Sequence, residues 1–143
     1  GAVSENRRRH MVLSIQPQID SGRTVSGGTI KWWFRQSDEA IRGWNLAESA
    51  CTSPERAMDT LFNDWRDWGA KYIWSHGSVF DVTMLEDFFP KVPWRFWNIR
   101  DTRTLFDVAD HKIDRSVGEH HNALDDAVAQ AHAVCEAWTK ARK

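Results

Sequence analysis

A chain of 143 residues, 41% hydrophobic and 27% charged, has room for one domain with one real core. Its 19 basic and 20 acidic side chains leave a formal charge of −1, spread evenly along the chain, which excludes a global polybasic coat for nucleic acid. No apolar run approaches a membrane span, no signal peptide is legible, and two cysteines (Cys51 and Cys135) without metal-site spacing make no disulfide framework, so the expectation is a cytoplasmic protein with reduced thiols.

In chain order, Gly1-Ala2-Val3 reads as the end of a strand and Glu5 to Arg9 as a polar turn. His10 to Gln16 alternates well enough for a strand, limited by Pro17. Ser21 to Gly28 reads as loop. Thr29 to Gln36 reads as a short helix with Ile30, Trp33 and Phe34 on one side, and Ser37 can cap a second helix, Asp38 to Leu46. Ser53-Pro54-Glu55 is a helix start built from a capping hydroxyl, a proline at the first helical position and an acid. Met58, Leu61, Phe62, Trp65 and Trp68 then recur at helical spacing up to Gly69. Lys71 to Trp74 is a short strand that runs into Ser75-His76-Gly77, and Asp81 opens the next helix. That helix has Leu85, Phe88 and Phe89 as its core face and ends at Pro90.

Phe96-Trp97-Asn98-Ile99 is a candidate edge strand. A helix starting at Asp101 or Thr102 reaches Val108, and Asp110 to Glu119 is polar loop. The last helix spans about Asn122 to Lys140, with Leu124, Ala127, Val128, Ala131, Val134, Cys135 and Trp138 on its buried side. Strands alternating with helices predict a single α/β layered domain over residues 1–143.

The stretch His120-His121-Asn122-Ala123-Leu124-Asp125-Asp126-Ala127 carries the sharpest chemical signal. His121 sits in the loop before a helix, where it can swing; Asp126 lies one turn inside, where it is held. That division suits a mobile base and a fixed metal ligand, unless the segment is simply a polar helix start. Asp125 points some 100° away from Asp126 and reads as solvent-facing. Asp81 is either a first-turn carboxylate favoured by the helix dipole or an acid facing a ligand just beyond a strand's carboxyl end. A histidine that takes a proton from water, with carboxylates that hold a hard cation, supplies the parts for hydrolysing a phosphodiester.

Other features are weaker. His76, His111, His120 and His132 match no zinc spacing. Arg7-Arg8-Arg9 reads as a solvated turn or a phosphate contact. The nine tryptophans read as a Trp-rich core; the alternative is that one or two of them stack on bases. His76, Trp33 and Gln36 are the candidates for touching substrate.

The strand–His76-Gly77-x-x-Phe80-Asp81 setting, followed by His121-x-Ala123-x-x-Asp126-Ala127 opening the last helix, resembles the second and third motifs of the DEDDh 3′–5′ exonucleases. Thr29 to Ser37 and Pro93 to Leu105 are similar to the ribonuclease T-like exoribonuclease branch of bacteria and their phages. The resemblance implies a ribonuclease H-like mixed sheet flanked by helices. It implies that Asp81 and Asp126 hold two Mg2+ or Mn2+ ions, with His121 as general base. The substrate would be a single-stranded 3′ end, RNA somewhat before DNA, and the location the host cytoplasm if the protein is phage-encoded. Pairing into a homodimer is a further implication.

One departure stands out: no aspartate in the chain has a glutamate two positions on, so the first Asp-x-Glu motif is absent. The expected fold accordingly lacks its first strand and most of its second, and the expected activity is weak or nil. The alternative is a catalytically dead module on the same fold that binds nucleic acid or protein.

Overall fold

The computed structural model describes residues 7–42, 50–114 and 122–143. The strand end expected at Gly1-Ala2-Val3, the far end of the helix expected to reach Leu46, and His120 and His121 lie outside the described residues. The strand expected over His10 to Gln16 contracts to an isolated parallel bridge between Leu13 and Thr52. Two hydrogen bonds make it: Ser14 N–H to the Thr52 carbonyl at 3.1 Å and Thr52 N–H to the Val12 carbonyl at 2.7 Å. Pro17 does not end a strand but sits in the first turn of helix α1 (Gln16–Asp20), where its fixed φ is already helical.

Helix α2 (Gly27–Trp33) begins ahead of Thr29 because the Ser26 hydroxyl caps it, accepting from Thr29 N–H. Its expected apolar side stays largely wet: Ile30 and Phe34 are exposed and Trp33 only half-buried. Ser37 caps α3 (Asp38–Ile41) through a bond from Ala40 N–H. The Ser53-Pro54 signal opens α4 (Pro54–Asp67), with Ser53 Oγ accepting from Arg56 N–H. Gly69, at φ 63°, then carries the chain out of the helix. Of this helix only Ala57 is fully buried.

Strand β1 (Ile73–Ser75), helix α5 (Ser78–Phe88) and strand β2 (Ile99–Asp101) form a β-α-β unit. The strands are parallel, with Ile73 opposite Ile99 and Ser75 opposite Asp101. Among the described residues they are the whole sheet, so the mixed sheet expected is represented by one parallel pair. The candidate edge strand at Phe96-Trp97-Asn98 is a 3-10 turn, and the strand proper starts at Ile99. Val82 of α5, Phe89 at its C-cap and Trp94 beyond it are buried. Trp94 lies 5.9 Å from Trp65, ring centre to ring centre, and its indole N–H donates to Glu86 at 2.9 Å, so the buried ring keeps its polar end satisfied.

The main core lies between α6 (Thr102–Ala109) and α7 (Ala123–Ala141). Leu105, Phe106 and Ala109 pack on Ala133 and Ala137, with Trp74 of β1, Ile113 and Val134 at the margin. The two buried alanines let the helices approach closely, since side-chain size at the contact sets the distance between axes. Val134 is thus correctly placed and Leu124 and Val128 are half-buried, but the rest of the expected buried side of α7 is not covered. Ala127, Ala131, Cys135 and Trp138 are exposed. With Leu124 and Val128, the first three of these line an apolar groove of about 590 Å³ that faces Leu61 and Trp65 of α4 and Trp68 at its C-cap. The helix therefore has two apolar faces, one closed against α6 and one open.

The arginines at positions 7 and 9 are tethered to α4. Arg9 grips the Asp64 carboxylate with two bonds of 2.8 and 2.9 Å, and Arg7 donates to the Asp67 carbonyl at 3.1 Å. The hydrogen bond from Arg9 to Asp64, with the charge of that carboxylate, raises the already high pKa of Arg9. No helix among the described residues is long and apolar enough to cross a membrane.

Candidate active site at the carboxyl ends of the strands

The parallel register brings Ser75 and Asp101 side by side at the carboxyl ends of β1 and β2. This is the edge where open α/β layers hold ligands. The chain leaves β1 through Gly77, at φ 114°, and enters α5 at Ser78. A β-carbon at position 77 would meet only the end of the flexible Arg103 side chain, at 3.4 Å, so the glycine answers a backbone requirement and not one of space. Gly77→Ala is expected to cost about 1–3 kcal/mol of stability, read as a lower urea midpoint with unchanged slope.

Asp81 lies in the first turn of α5, as its sequence position predicts. The Ser75 hydroxyl donates to one of its carboxylate oxygens, and this is its one side-chain bond among the described residues. Asp81 is otherwise exposed. His76 is anchored by Nδ1 against the Thr102 hydroxyl at 2.9 Å, with its ring 6.2 Å from Phe106. Thr102 is 0% exposed, so the partner of the histidine is fixed inside the core.

The residue that organises this edge is Asp101, which sequence reasoning treats as no more than one of two places where a helix starts. One carboxylate oxygen accepts from Ser78 N–H at 2.8 Å and Ser78 Oγ at 3.1 Å. The other accepts from Arg103 N–H at 2.8 Å. A single side chain thus caps both α5 and α6. Burial acts to raise its pKa, but the Ser78 and Arg103 N–H bonds, the Ser78 hydroxyl and the charge of Arg103 outweigh that and hold it below the usual carboxylate range. An aspartate at the last position of a strand directly before a helix signals the cap of α6 but not the bond to Ser78.

Asp126 sits in the first turn of α7, whose start is capped by Asn122 accepting from Leu124 and Asp125 N–H groups. Asp126 is half-buried, and among the described residues its carboxylate has no hydrogen bond or ion pair. Asp125, read as solvent-facing, is likewise half-buried and engaged in an interaction. No described contact joins Asp126 to Asp81. His121 lies outside the described residues. Trp33 packs edge-on against Trp32 with ring centres 4.9 Å apart, and the Gln36 amide turns back to the Trp32 carbonyl at 2.9 Å.

Among the described residues no three His, Cys, Asp or Glu side chains group closely enough to hold an ion. The oxygens left available are of one kind, carboxylates with at most one protein hydrogen bond each. That donor type fits a hard cation that keeps most of its water and takes one or two carboxylates, and it does not fit a softer ion that wants nitrogen or sulfur.

A family model described as the 3′-5′ exoribonuclease Rv2179c-like domain matches residues 6–138. No curated protein and no solved structure matches the chain.

Proposed function

The chain belongs to the Rv2179c-like 3′-5′ exoribonuclease domain family, and from that premise we propose that it hydrolyses phosphodiester bonds at single-stranded 3′ ends on a ribonuclease H-like scaffold, with a divalent cation. RNA is favoured over DNA on the strength of the family description. What supports the site assignment is the state of two carboxylates: Asp81, oriented by the Ser75 hydroxyl, and Asp126, with no protein partner among the described residues. These two would hold Mg2+ or Mn2+. When bound, the ions would supply positive charge to the attacking water and to the leaving 3′ oxygen.

The chain's own residues do the rest. Ser75 holds Asp81 by one oxygen and leaves the other open. His121, one residue before the cap of α7, takes the proton of the attacking water at a ring nitrogen. His76, pinned by Thr102, presents a fixed ring beside Gly77, where a nucleotide would lie. Trp33 and Gln36 are proposed as a more distant wall for the substrate.

The test is release of mononucleotides from a single-stranded oligoribonucleotide in Mg2+ or Mn2+. The 143 residues contain no Asp-x-Glu pair, so weak hydrolysis is expected from them alone and strong hydrolysis once a strand carrying Asp-x-Glu is supplied. Asp126→Asn should abolish that gain and weaken Mn2+ binding in calorimetry. A supplemented chain that degrades nothing in either metal defeats the enzyme reading. A second reading is a binding module without catalysis. It predicts tight 3′-end binding and no release of mononucleotides under any of these conditions.

A further inference from the structure

At the opposite ends of β1 and β2 from Asp81, about 10 Å away along the strands, three aromatic rings stand in water. Phe96 is 78% exposed, Trp97 55% and Tyr72 52%. They are interleaved with cations. The Arg95 guanidinium lies 5.4 Å over the Trp97 ring and the Arg100 guanidinium 4.5 Å over the Tyr72 ring. From Phe88 to Arg100 the chain carries Lys91, Arg95 and Arg100 and no acidic residue, in a protein whose overall charge is −1.

We propose that Phe96, Trp97 and Tyr72, with Arg95 and Arg100, form a second binding platform for single-stranded RNA, separate from the strands' carboxyl ends. It rests on the exonuclease reading only for the class of ligand.

Three observations carry it. First, the backbone that carries Phe96 and Trp97 is held in place. The 3-10 turn is closed by Asn98 N–H on the Arg95 carbonyl at 2.8 Å, and Arg100 donates to the carbonyls of Trp97 and Ile99 at 2.7 and 2.8 Å. Phe96 and Trp97 meet edge to face, ring centres 4.8 Å apart, so both present an open surface while supporting each other. Second, packing does not account for the exposure: Trp94, two residues before Phe96, is 4% exposed, so the core ends where the patch begins. Third, the charge selects the partner. Arg95 has no carboxylate within ion-pair distance among the described residues, and Arg100 spends its donors on carbonyls rather than acids. Exposed rings alternating with guanidinium groups fit unpaired bases on a phosphate chain. A protein-docking patch is expected to be poorer in charge at its centre.

The test is fluorescence anisotropy with a 5′-labelled single-stranded RNA of mixed sequence in EDTA, which switches off metal-dependent hydrolysis. The double variant Phe96→Ala/Trp97→Ala is expected to bind at least about tenfold more weakly than the parent chain. Arg95→Ala alone should give a smaller loss and a shallower salt dependence. Because both rings are already exposed, far-UV circular dichroism should show the variants folded. Equal affinity of parent and double variant overturns the proposal. So does an equal loss for the matching RNA duplex, which would mark a charge contact without stacking. Self-association of the parent but not the variant in sedimentation also overturns it, since the face would then be a contact between copies. A chain that binds through these rings but never cleaves defeats the enzyme reading and leaves this one standing; a chain that cleaves but binds equally well without them does the reverse.

Discussion

Replacing His121 by alanine is expected to lower mononucleotide release by about 10²–10⁴-fold while sparing affinity for an uncleaved 3′ end. The size of the effect follows from the role: a general base acts on the proton of the attacking water and contributes little to holding the substrate. The readout is single-turnover release from a labelled oligonucleotide, beside binding measured in EDTA. The same pair of measurements separates catalysis from mere recognition, because a module that only binds has no turnover to lose. A drop in binding as large as the drop in rate would assign His121 to holding the substrate and not to proton transfer.

Asp101→Ala is expected to cost about 1–3 kcal/mol of folding stability, because one substitution removes the caps of two helices. Partial exposure of the carboxylate keeps the figure below the sum of two ideal caps. The pH dependence has a definite sign. Its folded-state pKa is depressed, so the contribution is fully present above the unfolded value of 3.8 and is lost as pH falls through the lower folded value. The gap in urea midpoint between parent and variant should therefore be widest at neutral pH and narrow steadily below about pH 4. A gap that stays constant through the acid range would show that the carboxylate charge is not what holds the two helices. Because Ser78 and Asp81 share a helical turn, the same variant should also lower any hydrolysis by loosening the seat of Asp81.

The helix starts were legible in the sequence, and for a local reason. Ser53, Asn122 and Asp101 each cap within three residues of themselves, so the chemistry is written next to the structure it makes. Asp81 in the first turn beyond β1 was readable on the same grounds. Longer-range features were not. The alternation from His10 to Gln16 looks like a strand, but pairing needs a neighbour, and among the described residues only Thr52 provides one. Phe96-Trp97 has strand-like residues that a 3-10 turn holds out in solvent. Helical period marks the apolar positions of α7 without saying which of two faces another helix will cover. The double role of Asp101 was invisible because it depends on the register of β1 against β2, which no local pattern encodes.

The open face of α7 bears on how this protein will behave at the bench. A solvatochromic dye such as anilinonaphthalene sulfonate should find the cleft between Trp65, Trp68 and Val128 in the native state and fluoresce before any heating. Dye-based melting curves would then start bright and register unfolding poorly, while intrinsic tryptophan emission would follow the same transition cleanly.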